Sequence, residues 1–265
     1  MSTTAIVVAH PGHELRVHHW LETNRPVVHC LTDGSGRIGR SRTSSTSKLL
    51  RNAGAREGTI FGRFTDREVY RALLAGECAI FEGVLTELTE SLIAEGVTMV
   101  AGDAPEGANP THDLCRCLID QAVAAVERTT GRLLDNYEFV LDGPPEDCPA
   151  ELRDRALSIR LDDVTLRRKL CAAHDYAELR GETEEALSVY GEQAFAVECL
   201  RPPTTRFAWE RFEREPPPYE HYGREGVERF GKSFGGYEEV ITYRRHVKPV
   251  IQAIEVASRR FVPRC

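Results

Sequence analysis

Ala5-Ile6-Val7-Val8-Ala9-His10-Pro11-Gly12-His13-Glu14 decides the fold of this chain. Five apolar residues in a row, three of them β-branched, predict a strand buried on both faces. Pro11-Gly12 ends it in a turn and leaves two imidazoles three residues apart at its carboxyl end. Working outward, short apolar runs at Val27–Leu31, Gly58–Gly62, Val97–Ala101 and Tyr137–Leu141 predict further strands. Helical periodicity at 13–22, 44–54, 65–75, 79–94 and 112–128 separates them. Alternation of this kind predicts a three-layer α/β fold with a Rossmann-like, mostly parallel sheet. Ligands of such sheets bind outside the carboxyl ends of the strands, which directs attention to the loops after Ala9, Leu31 and Ala101.

After Gly143-Pro144-Pro145 the periodicity turns helical, over Leu161–Asp175 and Tyr176–Phe195. Pro202-Pro203 and Pro216-Pro217-Pro218 bracket an aromatic, charged stretch that is not expected to be a regular helix. Thr242–Ser258 is expected to close the chain as a helix. Residues 1–200 are therefore read as the α/β domain and 201–265 as a helical C-terminal extension packed on it. Trp209, Phe212 and Tyr219 are expected to glue that extension to the core.

Of the 265 residues, 41 are acidic and 34 basic, a net charge of −7 that argues against a nucleic-acid partner. No stretch approaches the ~20 apolar residues that span a bilayer, and the start lacks the basic region of a signal peptide, so a cytoplasmic address and no membrane partner are expected. The eight cysteines include no Cys-x-x-Cys pair and are expected to be reduced. Cys115 and Cys117 would point about 200° apart on a helix. A small-molecule substrate is the expected partner, and a homo-oligomer is compatible with the sequence.

A third histidine follows the fourth strand, in Asn109-Pro110-Thr111-His112-Asp113. Thr111 is expected to cap a helix whose apolar face is Leu114, Cys117, Leu118, Ala122, Ala125 and Val126, which puts His112 in the first turn. The helix dipole there disfavours imidazolium, so His112 stays neutral, the form a metal needs. Three neutral nitrogens would leave a zinc ion one open position. On the residues alone, three unrelated histidines capping turns is the rival reading.

Val7-Val8-Ala9-His10-Pro11-Gly12-His13-Glu14 resembles the opening A-H-P-D-D-E motif of the PIG-L/LmbE-like zinc-dependent N-deacetylases, which remove acetyl groups from N-acetylglucosamine-type amides. Leu31-Thr32-Asp33-Gly34 is similar to that family's L-T-x-G, and Asn109-Pro110-Thr111-His112 falls where it carries H-P-D-H. The likeness covers roughly residues 5–142. It implies zinc, or another divalent transition metal, held by His10, His13 and His112, a His/His/His set where the family has His/Asp/His. It implies hydrolysis of an N-acyl amide on a small polar, sugar-like substrate. The proton-transfer positions depart: Gly12 replaces the general base, Asn109 the assisting histidine, and Thr111 the aspartate supporting it.

Glu14, Asp113 and Asp103 are the nearby carboxyl groups that could supply a proton, Glu14 alternatively orienting a ligand histidine. Asn109 could donate to the oxyanion. Replacing a carboxylate ligand by imidazole leaves more positive charge on the metal, which favours ionisation of bound water. Gly34-Ser35-Gly36-Arg37-Ile38-Gly39 opens a loop whose Arg37, Arg40 and Arg42 could hold an anionic group. The same run fits G-x-G-x-x-G but follows the second strand, so a nucleotide-binding Rossmann-like module is a rival; a metal-binding member with altered or lost deacetylase activity is another. Glu14 and His18 share a helix face and are expected to form an exposed hydrogen bond.

Overall fold

The structure is a computed structural model that describes residues 3–36, 39–230 and 239–263, the side chains of 229 and 230 excepted. Strands β1 (Thr3–Val8), β2 (Val27–Thr32), β3 (Arg56–Phe64), β4 (Val97–Asp103) and β5 (Asp135–Phe139) form one parallel sheet in the order β3-β2-β1-β4-β5. Every β1 residue from Thr4 to Val8 is buried, as its unbroken apolar run requires. The chain winds from β1 outward through β2 and β3, then returns to the other side of β1 with β4. That reversal opens a crevice at the carboxyl ends of β1 and β4, the place where such sheets hold ligands.

Helices α1 (His18–Asn24), α2 (Thr43–Ala53), α3 (Asp66–Ala75), α4 (Cys78–Ala94) and α5 (Pro110–Thr130) cover the two faces. Thr65 and Glu68 start α3 with a reciprocal capping box. One core contains Val7, Leu85, Leu88, Leu114, Leu118 and Ile254; the other contains Ile6, Val8, Leu21, Leu50 and Phe139. Each such fully buried aliphatic side chain contributes about 1.5–3 kcal/mol.

Beyond the sheet, β6 (Leu157–Arg160) and β7 (Val197–Leu200) form an antiparallel pair around α6 (Asp163–Asp175) and α7 (Arg180–Tyr190). These four-residue strands are too short to announce themselves by alternation. The single helix expected over Tyr176–Phe195 is interrupted by 3-10 turns at Ala177–Leu179 and Glu192–Ala196.

The aromatic stretch between the prolines does form a helix, α8 (Thr205–Arg214), followed by α9 (Pro218–Phe230). The prolines stand outside α8, and within it Ala208 and Phe212 bury one face at i, i+4 spacing. Trp209 and Phe212 pack their rings with Tyr243, and Phe212 and Tyr219 join the main core. The closing helix, α10 (Lys248–Arg260), starts later than expected, after a π turn at Tyr243–Val247. Pro249 has no N–H to offer a helix interior, so it sits in the first turn. β5 likewise begins two residues earlier than its apolar run, because Asp135 and Asn136 pair with Met99 and Val100. Among the described residues, no helix is long and apolar enough to cross a membrane, and Cys30, Cys78, Cys115, Cys117, Cys148, Cys171 and Cys199 are free thiols.

Candidate functional site

The three histidines meet at the crevice. Ring centres lie 5.2 Å apart for His10–His13, 5.0 Å for His10–His112 and 4.7 Å for His13–His112. His10 and His13 follow β1 directly. Gly12, between them, turns the chain in the left-handed region (φ 105°), which brings the second imidazole back toward the first. His112 comes from the first turn of α5. Asn109 caps that helix, its side chain accepting from Thr111 N–H, with Pro110 next; Thr111, the expected cap, lies inside the helix. Asn outranks Thr as a cap, and Pro110 is placed for the first helical position.

Carboxylates fix two of the rings. His13 Nδ1 lies 3.0 Å from both oxygens of Asp103, the last residue of β4, which also accepts from Ala9 N–H at 2.7 Å. His10 Nδ1 lies 2.7 Å from Thr32 Oγ1 and 2.9 Å from Asp66 Oδ1. Thr32 spends its own proton on Ala9 O, so Nδ1 of His10 is the donor and Nε2 carries the lone pair. The Asn109 amide reaches that Nε2 at 3.4 Å. His112 Nδ1, by contrast, is buried with no hydrogen-bond partner.

Electrostatics follow the same division. Burial works against the charged form of His13, but the adjacent Asp103 carboxylate outweighs it and raises the imidazole pKa. Burial, with His13 and His10 alongside, drives His112 well below the ordinary histidine range, so it is neutral. That neutrality was expected from the helix dipole; desolvation is the larger cause. Burial would raise Asp66, yet its bond to His10 and the nearby imidazole hold the carboxyl well below the usual range.

A buried imidazole nitrogen without a partner costs free energy unless something binds it. At a zinc–nitrogen distance of about 2.0–2.1 Å, three imidazoles on one tetrahedral ion have ring centres roughly 5 Å apart, which these rings match. Among the described residues, no set of three or more His, Cys, Asp or Glu side chains yet presents its donor atoms in a metal-binding arrangement. The rings are in place and the nitrogens are not. A half turn of an imidazole exchanges nitrogen for carbon without moving the ring centre, and no hydrogen bond holds His112 Nδ1 where it is. The donor chemistry, two imidazoles backed by carboxylates and a third left open, therefore fits a divalent transition metal.

The remaining expected residues are placed differently. Glu14 is fully buried and turned inward, accepting from Gly12 N–H at 2.9 Å and Thr46 Oγ1–H at 2.8 Å. It bonds none of the three clustered histidines and not His18, which is itself buried and stands 3.9 Å from Glu22. The expected exposed Glu14–His18 contact is replaced because 13–17 is a 3-10 turn, which rotates the pair off one face. Asp113 is buried beneath the site; one oxygen accepts from Gly107 N–H and the other has no partner, and burial pushes its carboxyl up to about 8. Arg42 borders the histidines' cavity, whereas Arg40 is exposed and outside its wall. Arg37 lies outside the described residues. Gly36 N–H donates to Asp66, tying the glycine run to the carboxylate that holds His10.

That cavity, about 480 Å³, is bordered by His13, His112, Gly12, Arg42 and Glu106, and on its outer side by α6 and α7. Glu106 accepts from the N–H groups of Leu141 and Asp142, and burial pushes its carboxyl up to about 7. At Gly12 an added Cβ would stand 2.1 Å from Leu179 Cδ1, so a leucine occupies the space a larger side chain would need.

No protein family and no curated protein is matched by the sequence. Solved structures do match. The zinc-inhibited form of teicoplanin deacetylase Orf2 aligns over 76% of this chain and 97% of its own, at 12% identity and a TM-score of 0.50. The conserved protein TT1542 from Thermus thermophilus aligns over 77% of this chain and 96% of its own, at 14% identity and a TM-score of 0.51. The chain shares their fold. Shared architecture at this identity accounts for the sheet and its crevice; the residues around the crevice speak for themselves.

Asp66 and Glu106 escaped the sequence reading. Asp66 follows β3 and is 56 positions from His10, with no motif linking them. Asp103 was weighed as a proton source and instead anchors His13.

Proposed function

We propose that this protein is a zinc-type, metal-dependent hydrolase of N-acyl amides, with His10, His13 and His112 as the metal ligands. The observation that carries the reading is the trio of imidazoles 4.7–5.2 Å apart at the sheet's switch point, one of them with a buried, unpartnered nitrogen. The fold shared with a teicoplanin deacetylase supports the reaction class, an N-acetyl or related amide on a polar, sugar-like scaffold.

When bound, the metal supplies a Lewis acid that polarises the amide carbonyl and lowers the pKa of water. Asp103 and Asp66 stand beside the Nδ1 atoms of the His13 and His10 rings, which would leave Nε2 of each as the atom to hold the metal. Asn109 Nδ2, beside His10, is the side-chain donor placed to meet the developing oxyanion. The leaving nitrogen needs a proton. Glu106 borders the same cavity and holds its proton into the neutral range, so it is assigned that role in place of Glu14 and Asp113, which brace the loops. Arg42 borders the cavity 3.4 Å from Glu182, so an anionic substituent would compete with that carboxylate for it.

Elemental analysis beside an assay of amine release from N-acetyl sugars tests this reading. Stoichiometric zinc that is lost in His13→Ala, together with metal-dependent amine release, is the expected result. Zinc retained in that variant would overturn the ligand set, and full zinc without amine release from any N-acyl amide would overturn the activity.

A further inference from the structure

Two cysteines that the crevice does not use stand side by side at the neck of the α6–α7 segment. Cys148 is in the loop after β5, and Cys199 lies in β7, across from Ser158 of β6. Arg201 fastens the two stretches together: its Nη1 donates to Asp147 O at 2.8 Å, and its backbone bridges Glu138 of β5. The two thiols share one small apolar cluster with Leu152 and are within hydrogen-bonding reach of each other. Both residues border a cavity of about 610 Å³ that has no bordering residue in common with the histidines' cavity. Its wall carries both signs of charge, Arg153 and Arg160 beside Glu146 and Asp147. Cys30, Cys115 and Cys117 are instead packed inside the two main cores. Burial, and then the neighbouring Cys148, push the Cys199 thiol up to about 11, so it keeps its proton until a reaction takes it.

We propose that Cys148 and Cys199 are a reversible dithiol–disulfide site, oxidised by a low-molecular-weight disulfide that enters the cavity they border. The Cys148 thiol loses its proton to solvent and attacks one sulfur of the reagent. The reagent's S–S bond breaks, half of it leaves as a thiolate, and the other half stays on Cys148 as a mixed disulfide. Cys199 then gives up its proton and attacks the Cys148 sulfur, which releases the second half. The protein loses two hydrogens and two electrons as one S–S bond forms; the reagent gains them as two thiols. Burial slows Cys199 as a nucleophile, but its step is intramolecular and needs no encounter. Closure joins 148 to 199 in a ring of chain that contains α6, Leu179 and α7, so the outer wall of the histidines' cavity is tied at its neck. Such a cross-link stabilises mainly by restricting the unfolded chain. The site stands whether or not the hydrolase reading does.

Peptide mapping of the full-length protein tests this. The protein is equilibrated with oxidised glutathione, remaining thiols are blocked with iodoacetamide in urea, and the digest is analysed without reduction. The expected result is a Cys148–Cys199 linked peptide that dithiothreitol abolishes, with a thermal midpoint raised by roughly 5–10 °C over the reduced protein. Cys199→Ser is expected to stop at the glutathione adduct on Cys148, and Cys148→Ser to give neither link nor rise. The wild-type map decides the link by itself, so neither variant has to fold for the test to count. Recovery of both residues as alkylated thiols, or of wild-type Cys148 carrying glutathione beside a free Cys199, would overturn the proposal. A link that forms only when urea is present during oxidation would do the same, and an unchanged midpoint in the linked protein would overturn the tie on the α6–α7 segment.

Discussion

Two buried polar clusters lie near the same cavity and differ in one respect. Around Glu198 the carboxylate and its cation are both paired: it accepts from His19 N–H and Trp20 N–H, both at 2.8 Å, and from Lys169 Nζ at 3.0 Å, while Lys169 also donates to Arg16 O. Around the histidines, carboxylates hold two rings and the third has a nitrogen with no partner. Both clusters sit in low dielectric, where an unpaired polar atom is expensive. A closed cluster holds elements together; an open one is poised for something the chain does not supply. Removing a partner should therefore unfold the first and disarm the second.

The largest expected effects come from exchanging these outcomes. Glu198→Gln leaves Lys169 buried and poorly paired and is expected to cost about 3–5 kcal/mol in urea unfolding, with zinc per folded molecule unchanged. His112→Ala is expected to do the opposite, lowering zinc affinity in a chelator competition by more than 100-fold while unfolding at nearly the wild-type urea concentration; about 10–100-fold is already typical of losing a second partner. If the two variants behave alike, the distinction between the clusters is wrong.

Asp103→Asn and Asp66→Asn come next. Each keeps shape and removes the charge behind one ligand ring, and each is expected to weaken zinc by roughly 10–100-fold, Asp103 more because it accepts from His13 with both oxygens. Competition titrations at fixed pH measure this. An unchanged affinity in both would mean the carboxylates hold the loops alone.

Glu106→Gln gives the smallest shift. Burial raises the folded-state pKa of Glu106 to about 7, above its unfolded value, so folding takes up a proton between the two. That part of the stability is present at low pH and is lost as pH rises through about 7. Glu106→Gln is expected to flatten the loss, raising stability at pH 8 by on the order of 1–2 kcal/mol and changing it little at low pH. Thermal melts across that range check the sign; stabilisation at low pH alone would reverse the assignment.

The sequence carried the sheet because its signal is local. The runs at Ala5–Ala9, Val27–Leu31 and Val97–Ala101 each lie within an observed strand or one residue past its end. The histidines could be gathered from the chain because two follow one strand and the third opens the helix after β4, so topology alone brings them together. What it hid is non-local. Asp66 reaches His10 only through the way the start of α3, after the edge strand β3, is set against the end of β1, and Leu179 reaches Gly12 across 167 residues of chain. The helix between the prolines was hidden for a different reason: Pro202-Pro203 and Pro216-Pro217-Pro218 looked like breakers of α8 when they only bound it.

X-ray absorption at the zinc edge of the purified, zinc-loaded protein tests the central claim most directly. The account predicts three imidazole nitrogens at about 2.0–2.1 Å, with one light-atom position besides, and loss of one imidazole contribution in His112→Ala. A sulfur shell at about 2.3 Å, or the same spectrum in that variant, would contradict it.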